Sequence, residues 1–278
     1  MQKKFLTLAS AEKKAGENFY KKSILTIRKT IIMKKFLKWA FIILAVFLLI
    51  LTIWGFIKHE SKPMANPSGE ADQIAQKMMA AVNKTAWDTT NIISWDFAGR
   101  NQYLWDKSRN FVKVIMGKNT VLLNTKAVDG IAFKDGKELS GKSATTQIQA
   151  AWKNFCNDSF WLNAVVKAFD IGTKRSIVTT KDGREGLMVH YESGGVTPGD
   201  SYVWLLDENG LPKSYKMWVK IIPVGGLEFT WQDWITLDTG AKVASLHKSD
   251  VFDIPVKDIK GTVSLEAHGL SEDPFAKL

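Results

Sequence analysis

The spacing of hydrophobic and polar positions changes along the chain and divides it into segments. Residues 39–57, WAFIILAVFLLILTIWGFI, form an uncharged apolar run. At about 1.5 Å per residue, a helix of this run is long enough to cross a hydrocarbon core of roughly 30 Å. The next stretch, 58–69, is polar with two prolines and is typical of a short linker. Residues 70–84 place apolar side chains at helical spacing, which predicts an amphipathic helix.

Alternation with a period of two, typical of β-strands, dominates the chain from residue 93 onward. Residues 143–169 are an exception with helical spacing, and we expect two helices broken near Asn157 and Asp158, with Asp158 capping the second. The segment LEFTWQDWITL (227–237) is one continuous alternation. Hairpin turns are predicted at three pairs: Asp135-Gly136, Asp182-Gly183 and Asn209-Gly210. The order of helix, strands, helical pair and strands predicts an α+β domain with an antiparallel sheet.

The formal charge of +10 is concentrated at the N-terminus. Residues 1–38 hold eleven basic and two acidic residues, whereas 59–278 holds 26 of each. A neutral domain lacks the basic surface that nucleic acid requires, so no nucleic-acid partner is expected. The basic leader at 1–38 predicts a cytoplasmic N-terminus, because positive charge flanks the cytoplasmic side of a span. We therefore expect a single-pass anchor in the inner (cytoplasmic) membrane, with the domain at 70–278 in the periplasm.

Two alternatives to this topology stay open. A cleaved signal peptide would carry a shorter apolar region of about 7–15 residues and a small-residue cleavage site. The run here is longer and KHESKPMAN offers no convincing site, so a retained anchor is favoured. Met33 opens MKKFLKWAF, which alone is a complete signal-anchor start. Residues 1–32 are therefore either a short cytoplasmic tail or an untranslated extension.

Candidate catalytic and metal-binding groups are sparse. The four histidines are scattered, and the sequence has no spacing typical of a metal site or a phosphate loop, so neither a cofactor nor a metal is expected. Cys156 is the single cysteine and is expected to be a small buried residue. Asp96 and Asp106 are set among aromatics, and we expect both on the exposed face of their strands. A hydrolase that uses one of them as an acid is kept as an alternative function.

The tryptophans are the unusual feature of the composition, and nine of the eleven lie in the domain. Three Trp-Asp pairs between residues 87 and 106 are too close together for a propeller, whose repeat is about 40–45 residues. Trp218 and Trp234 fall on the polar side of their strands, which indicates a sheet with two apolar faces. Such a sheet needs a second covering layer or leaves an apolar surface for a ligand. Both interpretations stay open at this point.

Four segments resemble the LolA/LolB-type lipoprotein-carrier family. YLWDKSRNF (103–111) is similar to the family's Leu-Trp-x-Lys-x-x-Asn strand and turn, and VLLNTKAVDGIAFKDGKEL (121–139) to its strand pair. NDSFWLNAVVK (157–167) is similar to its lid helix, and DVFDIPVKDI (250–259) to its closing Phe-x-x-Pro segment. The resemblance covers roughly 70–259. It implies an incomplete antiparallel β-barrel with a mid-chain helical lid.

The resemblance also implies a function, with one departure. Because a retained anchor is favoured and no lipidation cysteine follows the apolar run, we expect a tethered, non-enzymatic domain that binds a lipid or acyl chain. The expected partners are a lipid or acylated ligand, the inner membrane and an envelope protein; a structural or partner-docking module of an envelope complex is the alternative. Arg109 is expected to contact the lid. The residues expected to line the apolar cavity under the 143–169 helices are Trp95, Phe97, Tyr103, Trp105, Trp204, Phe229 and Trp231.

Overall fold

The structure is a computed structural model that describes residues 33–278; the predicted leader at 1–32 lies outside this range. The chain divides into two compact units between Ile57 and Lys58. The first is made by helix α1 (Met33–Lys58), whose 26 residues extend for about 39 Å. Helix α1 is long and apolar enough to cross a membrane, a property that a signal sequence shares.

The second unit, Lys58–Leu278, is the α+β domain that the sequence predicts. Its helices are α2 (Gly69–Ala81), α3 (Lys84–Thr89) and α4 (Gly141–Asn163), and a 3₁₀ helix at Ala164–Lys167 continues α4. Its strands are β1 (Asn66–Pro67), β2 (Ile92–Phe97), β3 (Asn101–Asp106), β4 (Phe111–Met116), β5 (Asn119–Asn124), β6 (Asp129–Lys134), β7 (Lys137–Glu138), β8 (Thr173–Thr179), β9 (Glu185–Tyr191), β10 (Ser201–Leu206), β11 (Pro212–Trp218), β12 (Leu227–Thr230), β13 (Gln232–Thr236), β14 (Lys242–Lys248) and β15 (Asp253–Thr262).

The strands form two open antiparallel sheets. One has six strands in the order β1-β8-β9-β10-β11-β12, and the other has nine in the order β13-β14-β15-β2-β3-β4-β5-β6-β7. Most neighbours are consecutive in the chain, because short hairpins join them. The exceptions are β15, which returns to pair with β2, and β1, which pairs with β8. The prediction of antiparallel strands that do not close into a barrel is confirmed.

The two sheets are joined at Trp231, which the sequence places inside a single strand. The chain breaks there into β12 and β13, and the Trp231 N–H donates to the carbonyl of Lys213 at 2.7 Å. Two residues later Asp233 has a φ of 53°, a left-handed conformation that interrupts the alternation. The predicted continuous strand over 227–237 is therefore wrong. Trp234 turns toward Trp231, with the ring centroids 6.1 Å apart.

Helix α2 confirms the amphipathic helix predicted at 70–84, although it ends earlier. The Ser68 side chain caps its first turn by accepting from the Ala71 N–H at 3.3 Å. At the other end Asn83 has a φ of 55°, which ends one helix, and its side chain then caps α3. Buried alanine and methionine side chains of α2, among them Met78, pack against β8 and β9.

Helix α4 is continuous through Asn157 and Asp158, so the predicted break is wrong. Asp158 was expected to cap a second helix, but it lies within α4 with only 3% of its surface exposed. The sequence misleads here because aspartate is a common helix cap. The sequence does not show that the hydrogen-bond partners of Asp158 come from β3.

The segment predicted as a linker, 58–69, is bound along the six-stranded sheet. Asn66 and Pro67 form β1 and pair with β8, and the Trp218 indole donates to the backbone carbonyl of Glu60 at 2.7 Å. Trp218 packs there with Val203 and neighbouring apolar residues. For Trp218 the second apolar face is therefore a covered structural layer.

Candidate functional site

Helix α4 lies across the inner faces of both sheets. Its buried side begins at Ile148, after two largely exposed turns. Phe155 contacts rings on β2 and β3 of the nine-stranded sheet. Trp161 contacts rings on β11 and β12 of the six-stranded sheet. Two rings of the helix and the rings that it covers form what we call the aromatic layer. Its members are Trp95, Tyr103, Trp105, Phe155, Trp161, Trp204, Tyr215, Phe229, Trp231 and His247.

One part of the aromatic layer surrounds Phe155. Trp95 and Tyr103 are opposite each other on β2 and β3 and stack with their centroids 4.5 Å apart. Phe155 lies 6.4 Å from Trp95 and 5.1 Å from Trp105, against which it packs edge to face. Trp152, one turn earlier in α4, is 6.3 Å from Phe155. Because offset and edge-on rings attract one another, these contacts hold α4 on the nine-stranded sheet.

The other part of the aromatic layer surrounds Tyr215. Its ring lies 5.1 Å from Trp204 on the neighbouring strand and 5.5 Å from Trp161 on α4. Trp231, where the chain passes between the sheets, lies 5.0 Å from Trp204 and 4.5 Å from the ring of His247 on β14. Trp204, Tyr215 and Trp231 are each at most 2% exposed. This part therefore joins α4 to both sheets.

Asp158 is the acid that α4 inserts beside this layer. Its Oδ2 accepts from the Tyr103 hydroxyl at 2.6 Å and from the Asn101 amide at 2.9 Å, and its Oδ1 accepts from Asn157 at 2.8 Å. Burial, and next the charge of Asp158, raise the pKa of Tyr103 well above its ordinary value. The hydroxyl therefore stays protonated and donates, which fixes α4 to β3. Sequence reasoning missed Asp158 in this role because Tyr103 and Asn101 are more than 50 residues away.

Several polar atoms of the aromatic layer are buried without a hydrogen-bond partner. Within residues 33–278 this is true of Trp95 Nε1, Trp204 Nε1, Trp231 Nε1, the Tyr215 hydroxyl and His247 Nε2. Burying one such group without a partner costs about 1–3 kcal/mol, and folded proteins contain few of them. Four of the five groups are donors, so the layer offers hydrogen bonds to acceptor oxygens within an apolar setting.

His247 has a defined proton arrangement. Its Nδ1 lies 3.2 Å from the carbonyl of Thr230, which can only accept, so Nδ1 carries the proton and Nε2 is bare. Burial lowers the pKa of His247 to about 4, although the nearby backbone of Thr230 and Trp161 opposes that change. The imidazole is therefore neutral at physiological pH.

Six of the seven residues predicted to line a cavity are buried under α4 or in the same core: Trp95, Phe97, Tyr103, Trp204, Phe229 and Trp231. The seventh, Trp105, is half-buried against Phe155. The rings pack on one another and on α4. Their role as ligand contacts stays a prediction.

Arg109, expected to contact the lid, binds two carboxylates that lie outside α4. Its Nε donates to Asp106 at 2.7 Å, and its two terminal nitrogens donate to Asp273 at 2.7 and 2.9 Å. The guanidinium also lies over the rings of Phe111 and Phe275. The predicted lid contact of Arg109 is therefore wrong. The residue links the C-terminal segment to the turn after β3.

The candidates for an acid catalyst are Asp96 and Asp106. Each accepts a hydrogen bond from a backbone N–H of the turn that follows it. Asp96 accepts from the Gly99 N–H at 2.6 Å. Asp106 is only 3% exposed. The exposed face predicted for it is therefore wrong. Burial alone would raise the pKa of Asp106, but hydrogen bonds from Ser108 and Arg109 hold it below its ordinary value. A group that is ionised and fully hydrogen-bonded is poorly suited to act as a general acid.

Other routes to catalysis find little support among the described residues. Burial raises the pKa of the Cys156 thiol to about 12, so Cys156 is a poor nucleophile. In residues 33–278 no group of three or more His, Cys, Asp and Glu side chains could hold a metal ion.

The fold and the site together define an α+β domain in which a mid-chain helix covers an aromatic layer between open antiparallel sheets. Neither a protein-family model nor a curated protein matches the sequence. Among solved structures the chain is similar to a DUF1329 family protein from Desulfovibrio piger, at 12% identity and a TM-score of 0.38, covering 76% of this chain and 97% of that one.

A second similar structure is a domain described as an outer membrane lipoprotein-sorting protein from Vibrio parahaemolyticus. The identity is 10% and the TM-score 0.36, with 74% of this chain and 95% of that one covered. A structure of the class that the sequence resembles is thus among those found. Both TM-scores lie below 0.5, so neither structure indicates a function for this chain.

Proposed function

We propose that this protein is a membrane-anchored domain that binds a lipid or acyl chain between α4 and the two sheets, without enzymatic activity. The observation that carries the proposal is the set of unpartnered donors inside the aromatic layer, at Trp204, Trp231 and Tyr215. A layer that served only as core would be more stable with apolar groups at these positions. An acyl ligand offers both an apolar chain for the rings and ester or carboxyl oxygens for the donors.

Binding requires that α4 lift from the sheets. The first two turns of α4 are largely exposed, and its N-cap residue Ser140 makes no side-chain capping hydrogen bond. A helix end of this kind opens at low cost. An entering acyl chain would replace the contacts of Phe155 and Trp161 with its own. At about 0.8 kcal/mol per buried CH₂, ten methylenes contribute roughly 8 kcal/mol before the costs of association.

Helix α1 and the charge beside it support a proposed location. The apolar helix is preceded by a basic leader with a net charge of +9 over residues 1–38, which favours a cytoplasmic N-terminus. We propose that α1 is retained as a single-pass anchor in the inner membrane and that the domain lies in the periplasm. A domain held at the membrane surface would have its ligand within reach.

Photo-crosslinking of the full chain in membranes tests the binding. A fatty acid with a photoreactive diazirine in its tail is added to membranes that contain the protein, and cross-linked peptides are mapped by mass spectrometry. Peptides of α1 should be labelled in every case, which provides an internal control. Peptides from β2, β3, β10 and β11 should also be labelled if the aromatic layer binds the acyl chain.

Two substitutions sharpen this experiment. Trp105→Asp places a charge beside Phe155 and should abolish labelling of the domain while leaving α1 labelled. Val263→Asp, at an exposed apolar position, is the matched control and should leave both signals unchanged. If the wild-type protein is labelled on α1 alone, the aromatic layer is core and the proposal is wrong.

A further inference from the structure

The chain is bound into the domain from Lys58 onward. The Lys58 ammonium lies 2.8 Å from Asp250 Oδ2. The Glu60 N–H donates to the carbonyl of Gly225 at 2.9 Å, and its carboxylate is 2.9 Å from the ammonium of Lys216, which is only 3% exposed. Removing the partner of a buried cation strongly destabilises the fold, so the ion pair with Lys216 holds Glu60 in place. The domain therefore begins at the end of the apolar helix, without a free linker.

Two loops of the domain contact residues 58–60, and both carry exposed apolar side chains. The first, residues 219–226, joins β11 to β12 and includes Ile221, 67% exposed. The second, residues 249–252, joins β14 to β15 and includes Val251 and Phe252, which are 55% and 52% exposed. Glu60 binds the first loop and Lys58 binds the second. We call the two loops the juxtamembrane loops.

The short connection limits how far these loops can lie from the end of α1. Two residues, Lys58 and His59, lie between Ile57, the last apolar residue of the run, and Glu60, so three Cα–Cα steps join them. At most about 3.6 Å per residue, the chain spans no more than roughly 11 Å. The headgroup region on one side of a bilayer is about 5–7 Å thick. The surface around Glu60 is therefore at the membrane–water boundary whenever α1 spans the bilayer.

We propose that the juxtamembrane loops dock on the lipid surface in which α1 is anchored, with Ile221, Val251 and Phe252 entering the headgroup region. Exposed apolar side chains of this size are typical of surfaces that contact a partner or a membrane, and here the connection to α1 selects the membrane. Docking would hold the domain in one orientation on the bilayer. This inference rests on the proposed anchoring by α1, but it does not depend on a ligand under α4.

Spin labels on the full chain in phosphatidylcholine vesicles test the docking. In a Cys156→Ala background, one label is attached at Val251→Cys and a control label at Lys137→Cys, on β7 at the far edge of the nine-stranded sheet. The ratio of collisions with oxygen to collisions with a nickel chelate reports immersion in lipid. We expect this ratio to be several-fold higher at position 251 than at position 137.

The variant Ile221→Ser with Phe252→Ser separates docking from mere proximity, and it should lower the ratio at position 251 to that of the control. If position 251 is open to nickel while α1 resists carbonate extraction, docking is wrong and the loops are left for a protein partner. If the double variant stays immersed, the connection alone places the loop and the apolar side chains do not dock. Extraction of the full chain by carbonate would refute the anchoring itself, and the docking with it.

Discussion

Replacing Tyr215 with phenylalanine removes one oxygen from the centre of the aromatic layer and leaves the ring in place. The Tyr215 side chain is fully buried, its hydroxyl has no hydrogen-bond partner among the described residues, and burial raises its pKa well above the ordinary value. The hydroxyl therefore loses its hydration on folding and gains nothing in return. Tyr215→Phe should raise the free energy of unfolding by about 1–3 kcal/mol.

Tyr103→Phe is the matched control, because Tyr103 lies in the same layer but its hydroxyl donates to Asp158 at 2.6 Å. A hydrogen bond to a charged acceptor contributes about 1.5–3 kcal/mol, so this variant should lose stability by that amount. The same chemical change is thus expected to have opposite signs at two positions. For a domain of this size each kcal/mol moves the melting temperature by about 2–4 °C.

The assay is thermal unfolding of the full chain in lipid nanodiscs, followed by near-ultraviolet circular dichroism, which reports the packing of the aromatic rings. Photo-crosslinking with the diazirine fatty acid is measured in parallel, and Tyr215→Phe should reduce labelling of the domain because it removes a donor for the ligand. A Tyr215→Phe variant that melts below the wild type would show that the hydroxyl is satisfied, and the reasoning from unpartnered donors would fail. Higher stability with unchanged labelling would assign Tyr215 to the core alone.

Three further predictions follow from named contacts. His247 has a pKa of about 4 in the fold and 6.5 ordinarily, so the unfolded chain takes up the proton first as the pH falls. The free energy of unfolding should therefore fall by about 2 kcal/mol between pH 7 and pH 5. Urea unfolding at both pH values should show a smaller loss in His247→Gln, and an equal loss would contradict this role of His247. Arg109→Met removes the cation beside the buried carboxylate of Asp106 and should lower the free energy of unfolding in urea by about 1–3 kcal/mol. Asp273→Asn should lower it less, because the Asp273 carboxylate is partly exposed. Equal losses would show that the effect comes from the C-terminal contact. Gly130→Ala would bring a Cβ within 2.0 Å of a backbone oxygen on β5, so it should lower the melting temperature by several degrees, and an unchanged melting temperature would show that β6 can shift.

The predictable parts of the fold are those whose signals are local. The helix at 70–84 was recognised from apolar spacing alone, and α2 ends early only because Asn83 adopts a left-handed conformation. The break predicted in α4 failed for the opposite reason. Asp158 has a residue type that favours caps, but its partners Tyr103 and Asn101 come from β3, which spacing within the helix cannot reveal.

The candidate site was predicted in the same uneven way. Alternation along the strands put Trp95, Trp204 and Trp231 on the inward face, where the structure buries them. Asp158 and His247 were missed as members of this layer, because each becomes important only through rings brought in from other elements. Arg109 was assigned to the lid by resemblance, and its guanidinium instead reaches Asp273, 164 residues further along the chain.

The sequence by itself determined the elements that depend on neighbours a few positions apart: an apolar helix near the N-terminus, hairpins at Asp-Gly and Asn-Gly turns, and strands with aromatic residues on one face. Tertiary structure alone decided that Trp231 is the point where the chain passes between two sheets and that Glu60 binds Lys216. It also decided which buried donors have partners. The physical reason is that hydrogen bonds and ion pairs act over a few ångströms in space, and the fold brings together residues that lie up to 192 positions apart in the chain.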